Sequence, residues 1–318
     1  GQVVAKLLQE GLRAAADSDE LVLLRVEDRG CFGLTGPEFA ENDLDEQDYG
    51  NFIKLCRLDL YSGKDQNKGG SFGLGKAVYW RFSRFQTVLF SSTLRPEDSM
   101  HGRHRNRVFG VNQGTVHRVD GVRYESRGHF GVEQGGDTAS VWADDETVAA
   151  LHLQRDTDRP GTTALIPGFY DPDQPAATSE QLVADLEASL ERSFWPLMAR
   201  GGMGFVLEDR AADGSVRSSI TVDPTKRLPR LVSALGRFDA GTTDDSLSLP
   251  GDVVVRDVKI RVPARRTAPT HASFEHVAKL VITLGESDDE DADDAVALFR
   301  RPGMVVQRIR ERIPGVAY

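Results

Sequence analysis

The chain has 318 residues, 39% hydrophobic and 28% charged, and 39 Lys and Arg against 49 Asp and Glu give a formal net charge of −10. That length leaves room for two domains with ample core, and the composition is ordinary for a globular protein. It carries no apolar run long enough for a membrane span, and its negative charge argues against a nucleic-acid surface spread over the whole molecule.

A first helix is expected over Gln2–Arg13. The strand-like run Leu21–Glu27 ends at Asp28-Arg-Gly30-Cys-Phe-Gly33-Leu-Thr-Gly36, whose glycines predict a turn. Cys31 lies in that turn, and Cys56 is the only other cysteine. Two thiols make neither a disulfide framework nor a metal site, so both are expected reduced and the location cytoplasmic. Residues 51–61 suggest a short helix before a glycine-rich stretch, Gly69 to Lys76. A helix over Ala77–Ser83 and a strand over Phe85–Ser92 follow. Residues 96–115 are polar and expected as a loop, with Arg103–Arg107 as an exposed basic strip. Val116–Tyr124 and Ala139–Trp142 are expected as strands of an inserted hairpin region. Gly161-Thr162-Thr163 opens a strand that runs to Pro167.

Thr178-Ser-Glu-Gln181 has the form of a capping box. The helix after it carries Leu182, Leu186, Leu190 and Phe194 on one face, and Pro196 with Gly201-Gly202 should end it near residue 200. Beyond that point strands are expected over 204–208, 218–222, 252–256, 258–262 and 278–283, then a helical 294–299 and a strand at 305–306. The acidic run 286–294 is expected as a solvated loop. The pattern predicts an α+β protein with two domains, 1–200 and 201–318.

The stretch Gly69-Gly-Ser-Phe-Gly-Leu-Gly-Lys76 bears most on function. Glycines free the backbone and clear away side chains, and a helix start favours an anion, phosphate above all. Gly70 to Lys76 fits the P-loop spacing, but Ala77 stands where Ser or Thr should hold Mg²⁺. A P-loop also needs a strand ending just before Gly70, and Lys64–Lys68 is polar.

Asp28-Arg-Gly30, the Gly70–Gly75 segment and Gly161-Thr162-Thr163 stand in the order found in GHKL ATPases, the class of gyrase B, Hsp90, MutL and the histidine kinases. Over residues 1–200 the chain resembles that family, and within it a bacterial Hsp90-like or MutL/MORC-like subgroup. The resemblance implies a two-layer α/β sandwich of Bergerat type, followed by a smaller β-rich transducer-like domain, and binding of ATP with Mg²⁺. It implies a buried carboxylate, Asp28, that accepts the adenine amino group, with Gly30 and Gly33 shaping the turn under the base. Guanine would set a carbonyl against that acceptor. Gly70, Gly73, Leu74, Gly75 and Lys76 would wrap the phosphates, with Lys64 or Lys68 adding charge. Thr162 or Thr163 would bond to Asp28. Lys279, Arg300 or Arg301 would reach the γ-phosphate.

The family's Glu-x-x-x-Asn helix, which supplies the general base and a Mg²⁺ ligand, has no match: Glu10 is followed four residues later by Ala14, and Gln9 by Arg13. It is expected upstream of Gly1 unless the chain is a degenerate binder, and no catalytic residue is assigned. The implied function is a slow ATPase whose closing lid drives homodimerisation or engagement of a protein partner, in phage defence or DNA processing. The alternative is a scaffold of GHKL shape without turnover. A histidine kinase would need a phospho-acceptor helix, and none of the seven histidines sits in one.

Overall fold

The computed structural model describes residues 2–18, 20–40, 49–58, 74–99, 106–155, 157–263, 273–285, 296–300 and 303–309. Helices and antiparallel strands make it an α+β protein. The chain divides into two compact units, Gly1–Ala177 and Thr178–Tyr318.

The first unit opens with α1 (Gln2–Ala16) and β1 (Leu23–Glu27). A short helix α2 (Gly50–Phe52) runs on as a π turn over Ile53–Arg57, and a 3₁₀ turn Leu74–Lys76 leads into α3 (Ala77–Arg81). Then come β2 (Thr87–Thr93) and β3 (Asn106–Gln113). Two small hairpins with their flanking strands follow: β4 (His117–Val119), β5 (Val122–Tyr124), β6 (Arg127–Phe130), β7 (Val132–Gln134), β8 (Asp137–Ala139) and β9 (Val141–Ala143). Helix α4 (Asp145–Ala150) and β10 (Gly161–Pro167) complete the unit.

The main sheet runs β1-β10-β2-β3-β6, with β9 also on β3, all antiparallel. β3 corrects the loop expected over 96–115. Val108, Phe109 and Val111 are fully buried, but four apolar residues between polar flanks give too short a signal to read as a central strand. Register assigns the two faces of the sheet. Val88, Phe90, Phe109, Val111 and Ala164 share one face, where Phe52 packs edge-on to Phe109 at 5.0 Å and Tyr79 to Phe90 at 5.7 Å. Val108, Ala143 and Leu165 lie on the other, packed with Val148 of α4 and Leu153. Helix α1 meets the turn before β2 so closely that a Cβ at Gly11 would lie 2.2 Å from the Arg84 carbonyl oxygen.

The second unit contains α5 (Ser179–Ala199), β11 (Val206–Arg210), β12 (Val216–Thr221), α6 (Pro229–Ala240), β13 (Val253–Val262), β14 (Phe274–Thr283), β15 (Val296–Phe299) and β16 (Val305–Ile309). The capping box forms as expected, with Thr178 and Gln181 bonding reciprocally. Helix α5, placed before the boundary at residue 200 by the sequence, groups with this unit because Trp195 packs with Leu228, Leu235 and Phe299. The strands expected over 252–256 and 258–262 are one, β13. The helical stretch expected over 294–299 is instead β15 from Val296, paired with β16. The acidic run 286–294 lies outside the described residues.

Candidate functional site

The site expected at the end of β1 is built by strand pairing. β1 and β10 run antiparallel with Glu27 opposite Thr163, so the next residue on one strand meets the previous one on the other. Asp28 N–H donates to the Thr162 carbonyl at 3.0 Å, and Thr162 N–H donates to Asp28 Oδ1 at 2.9 Å. Gly30 N–H donates to the Pro160 carbonyl at 2.8 Å, with Gly30 at φ +82°. A Cβ at Gly161 would lie 2.4 Å from both the carbonyl oxygen and Oδ1 of Asp28. The glycine before the threonines therefore makes room for the carboxylate. Asp28 is exposed, not buried as expected: β1 is an edge strand of the sheet, and among the described residues no further strand pairs with it.

The two threonines part company, since alternate residues of a strand face opposite ways. Thr162 sits on the Phe90 side, with Oγ1 3.4 Å from Ser92 Oγ. Thr163 is fully buried on the other face, where its hydroxyl accepts from Arg155 Nη1 at 3.2 Å. Thr162 is thus the threonine whose backbone holds the Asp28 carboxylate, and Thr163 serves the sheet. Ser92 Oγ also donates to the Gly161 carbonyl at 2.9 Å and accepts from Leu34 N–H at 2.8 Å. Gly33 is buried at φ +73°, and its missing Cβ would fall 2.5 Å from Ser92 Oγ. Its role is close packing of the turn against β2.

Three further side chains surround the carboxylate. Arg155 Nη2 donates to the Asp28 carbonyl at 2.6 Å, and burial pulls its pKa down against the raising pull of Glu27 and Asp28. Burial first, then the Asp28 charge, pushes the pKa of the Cys31 thiol up. Burial also raises the Tyr79 phenol, with the Asp28 charge as the next cause. Helix α3, which follows the glycine-rich stretch, thereby brings a phenol within electrostatic reach of Asp28.

Of the expected phosphate-binding residues, Gly70, Gly73, Lys64 and Lys68 lie outside the described residues, as does the segment before Gly70 on which the P-loop reading turns. Leu74 opens the 3₁₀ turn, and Gly75 is exposed with nothing within 4 Å of a Cβ. Lys76 Nζ donates to the carbonyls of Lys54, at 3.1 Å, and Leu58. It closes the end of the π turn, where unpaired carbonyls attract a cation.

Arg107 is fully buried, not part of an exposed basic strip; residues 103–105 lie outside the described set. Its guanidinium donates to the carbonyls of Leu34 (2.9 Å), Gly36 (2.7 Å) and Pro37 (3.3 Å) and to Ser140 Oγ (2.9 Å). It pairs with Glu38 at 3.0 Å and lies 3.7 Å over the Phe52 ring. One arginine thus fastens the turn that follows Asp28 to the sheet.

Glu10 is exposed and pairs with Lys6 at 3.7 Å. Lys279 pairs with Asp257, Arg300 is exposed, and Arg301 lies outside the described residues. Among the described residues no three His, Cys, Asp or Glu stand close enough to hold a metal ion. Sequence reasoning missed Ser92, Arg155, Tyr79 and Arg107. Only Ser92 left a trace, a small polar residue ending an apolar strand. No family model matches the chain, nor does any curated protein or solved structure.

Proposed function

We propose that the first unit binds an adenine nucleotide in the manner of GHKL ATPases, with Asp28 accepting the adenine amino group. The observation that carries this reading is the joint between two strands: a carboxylate at the tip of β1, fixed by the Thr162 N–H at 2.9 Å, beside a glycine that leaves it space. Two motifs 134 residues apart in the chain meet there. The polar set fits the base: an anchored carboxylate to accept from its amino group, the Thr162 hydroxyl on the same face, and a turn at Gly30 where, among the described residues, nothing lies within 4 Å of an added Cβ.

Glu10 is tied to Lys6 and followed four residues on by Ala14. Two forms of the reading follow, a slow ATPase and a scaffold without turnover. In both, nucleotide occupancy sets the conformation of the glycine-rich stretch and, through it, a surface for a second copy or a protein partner.

Calorimetric titration with ATP, with and without Mg²⁺, tests the site. Asp28→Asn should weaken ATP binding tenfold or more, equivalent to about 1.4 kcal/mol, and GTP should bind the unaltered chain far more weakly than ATP. Equal ATP affinity for the chain and Asp28→Asn rejects the site. Phosphate release no faster than in Gly73→Val/Gly75→Val supports the scaffold, and release above it supports the ATPase.

A further inference from the structure

The first unit holds a cavity of about 500 Å³ at the far end of the sheet from Asp28. Asp28 lies by Thr162, opposite Ser92 near the end of β2, whereas the cavity is lined by Gln86, just before β2 begins. A seven-residue strand separates the two, about 20 Å. The cavity shares Lys76 with the residues expected to wrap the phosphates, and no residue with the adenine end of the nucleotide site at Asp28.

Its lining has two kinds of surface. Leu7 of α1, Trp80 of α3, Tyr170 and Pro172 give an apolar interior with two aromatic rings. The Trp80 ring is buried with its Nε1–H already given to the Val111 carbonyl at 3.0 Å, so it offers the cavity only apolar surface. Three cations lie on the lining, Lys76, Arg81 and Arg127. Lys76 and Arg127 are held in place by carbonyls at the end of the π turn, Lys54 and Leu58 for the first, Cys56 and Arg57 for the second. Arg81 has a looser partner, Asp173 at 3.4 Å, and both side chains are mostly exposed, a pair worth little in water. Among the described residues, no carboxylate lines the cavity. Its volume is that of small-molecule sites.

We propose that this cavity binds a small amphiphilic anion, a flat aromatic body carrying one acidic group, with the ring against Trp80, Tyr170 and Pro172 and the acid facing Arg81. The two aromatic rings select a ring over a flexible chain, since ring stacking adds to simple area burial. The Arg81 guanidinium on the lining selects the anion over a neutral ring of the same shape. Arg81, the least engaged of the three cations, can turn to the ligand at the cost of a weak surface pair.

The test uses the whole chain and the fluorescent probe 1-anilinonaphthalene-8-sulfonate, with N-phenyl-1-naphthylamine as its uncharged counterpart. Saturable binding of one sulfonate probe per chain is expected, at least fivefold tighter than the neutral probe and weakened by salt. Arg81→Glu should weaken it at least fivefold while the circular dichroism melt is unchanged. Arg118→Ala, an exposed arginine of β4, and Asp28→Asn should leave it unaltered, so failure of the nucleotide reading does not touch this one. 1-Naphthoate should displace the probe better than dodecanoate. Equal affinity for the two probes, no loss with Arg81→Glu, or stronger displacement by dodecanoate overturns the proposal.

Discussion

Replacing Arg107 tests whether one buried cation holds the turn that shapes the proposed nucleotide site. In Arg107→Met the side chain keeps most of its length and apolar contact with Phe52 but loses every donor. Three carbonyls (Leu34, Gly36, Pro37) then lose their partner, and the Glu38 carboxylate loses its ion pair while keeping its bonds from Ser140. Net hydrogen bonds to a charged group are each worth about 1.5–3 kcal/mol, and breaking a buried ion pair from one side costs about 3–5 kcal/mol because the other charge stays unpaired. These overlap, so the expected loss is about 4 kcal/mol. With a urea m-value of about 2 kcal/mol/M for a unit this size, the midpoint should fall by about 2 M. Arg107→Lys keeps the charge without the fork and should lose roughly half as much. The assay is urea unfolding of the full chain, followed by tryptophan fluorescence and by circular dichroism. A midpoint shift below about 0.5 M for Arg107→Met would refute the assigned role.

Gly33→Ala should cost about 2–4 kcal/mol, because it combines a left-handed backbone at φ +73° with a Cβ 2.5 Å from Ser92 Oγ; a thermal melt reads it, and an unshifted melt would mean the turn is free to move. Alkylation kinetics should separate the two cysteines. Exposed Cys31 reacts in the native chain, whereas buried Cys56, its thiol pushed up to about 12, reacts only on unfolding. Because the Cys31 thiol feels the Asp28 charge, saturating ATP should slow its alkylation, and no protection would count against a base seated there. His129 is pulled below the ordinary histidine value by burial, then by Arg57 and Arg127. The unfolded chain therefore takes up a proton near pH 6.5 while the folded chain resists it, so stability should fall as pH drops below about 6.5. His129→Gln should flatten that slope, which urea midpoints from pH 5 to 7.5 would reveal.

Much of the architecture was legible because local signals decide local structure. Helix α1, strands β1, β2 and β10, and the capped start of α5 each carry their own periodicity or cap. Strand β3 was not legible, because its burial comes from neighbours on both sides and not from its own pattern. The stretch 294–299 read as helical, yet Val296–Phe299 pairs with β16, a tertiary choice over a weak local preference. Helices α4 and α6 left no signal that the reading used.

By itself the sequence determined which motifs exist and in what order: an Asp-x-Gly after a strand, a glycine-rich run before a helix, and a Gly-Thr opening another strand. Covalent order is blind to which side of a strand a residue faces, and that the tertiary structure decided. Register set Thr162 beside the carboxylate and turned Thr163 to Arg155 on the opposite face, because side chains alternate across a pleated strand. It likewise buried Arg107, which in sequence stands in a polar, surface-like run, because the carbonyls of the turn after Asp28 converge on that one point of β3.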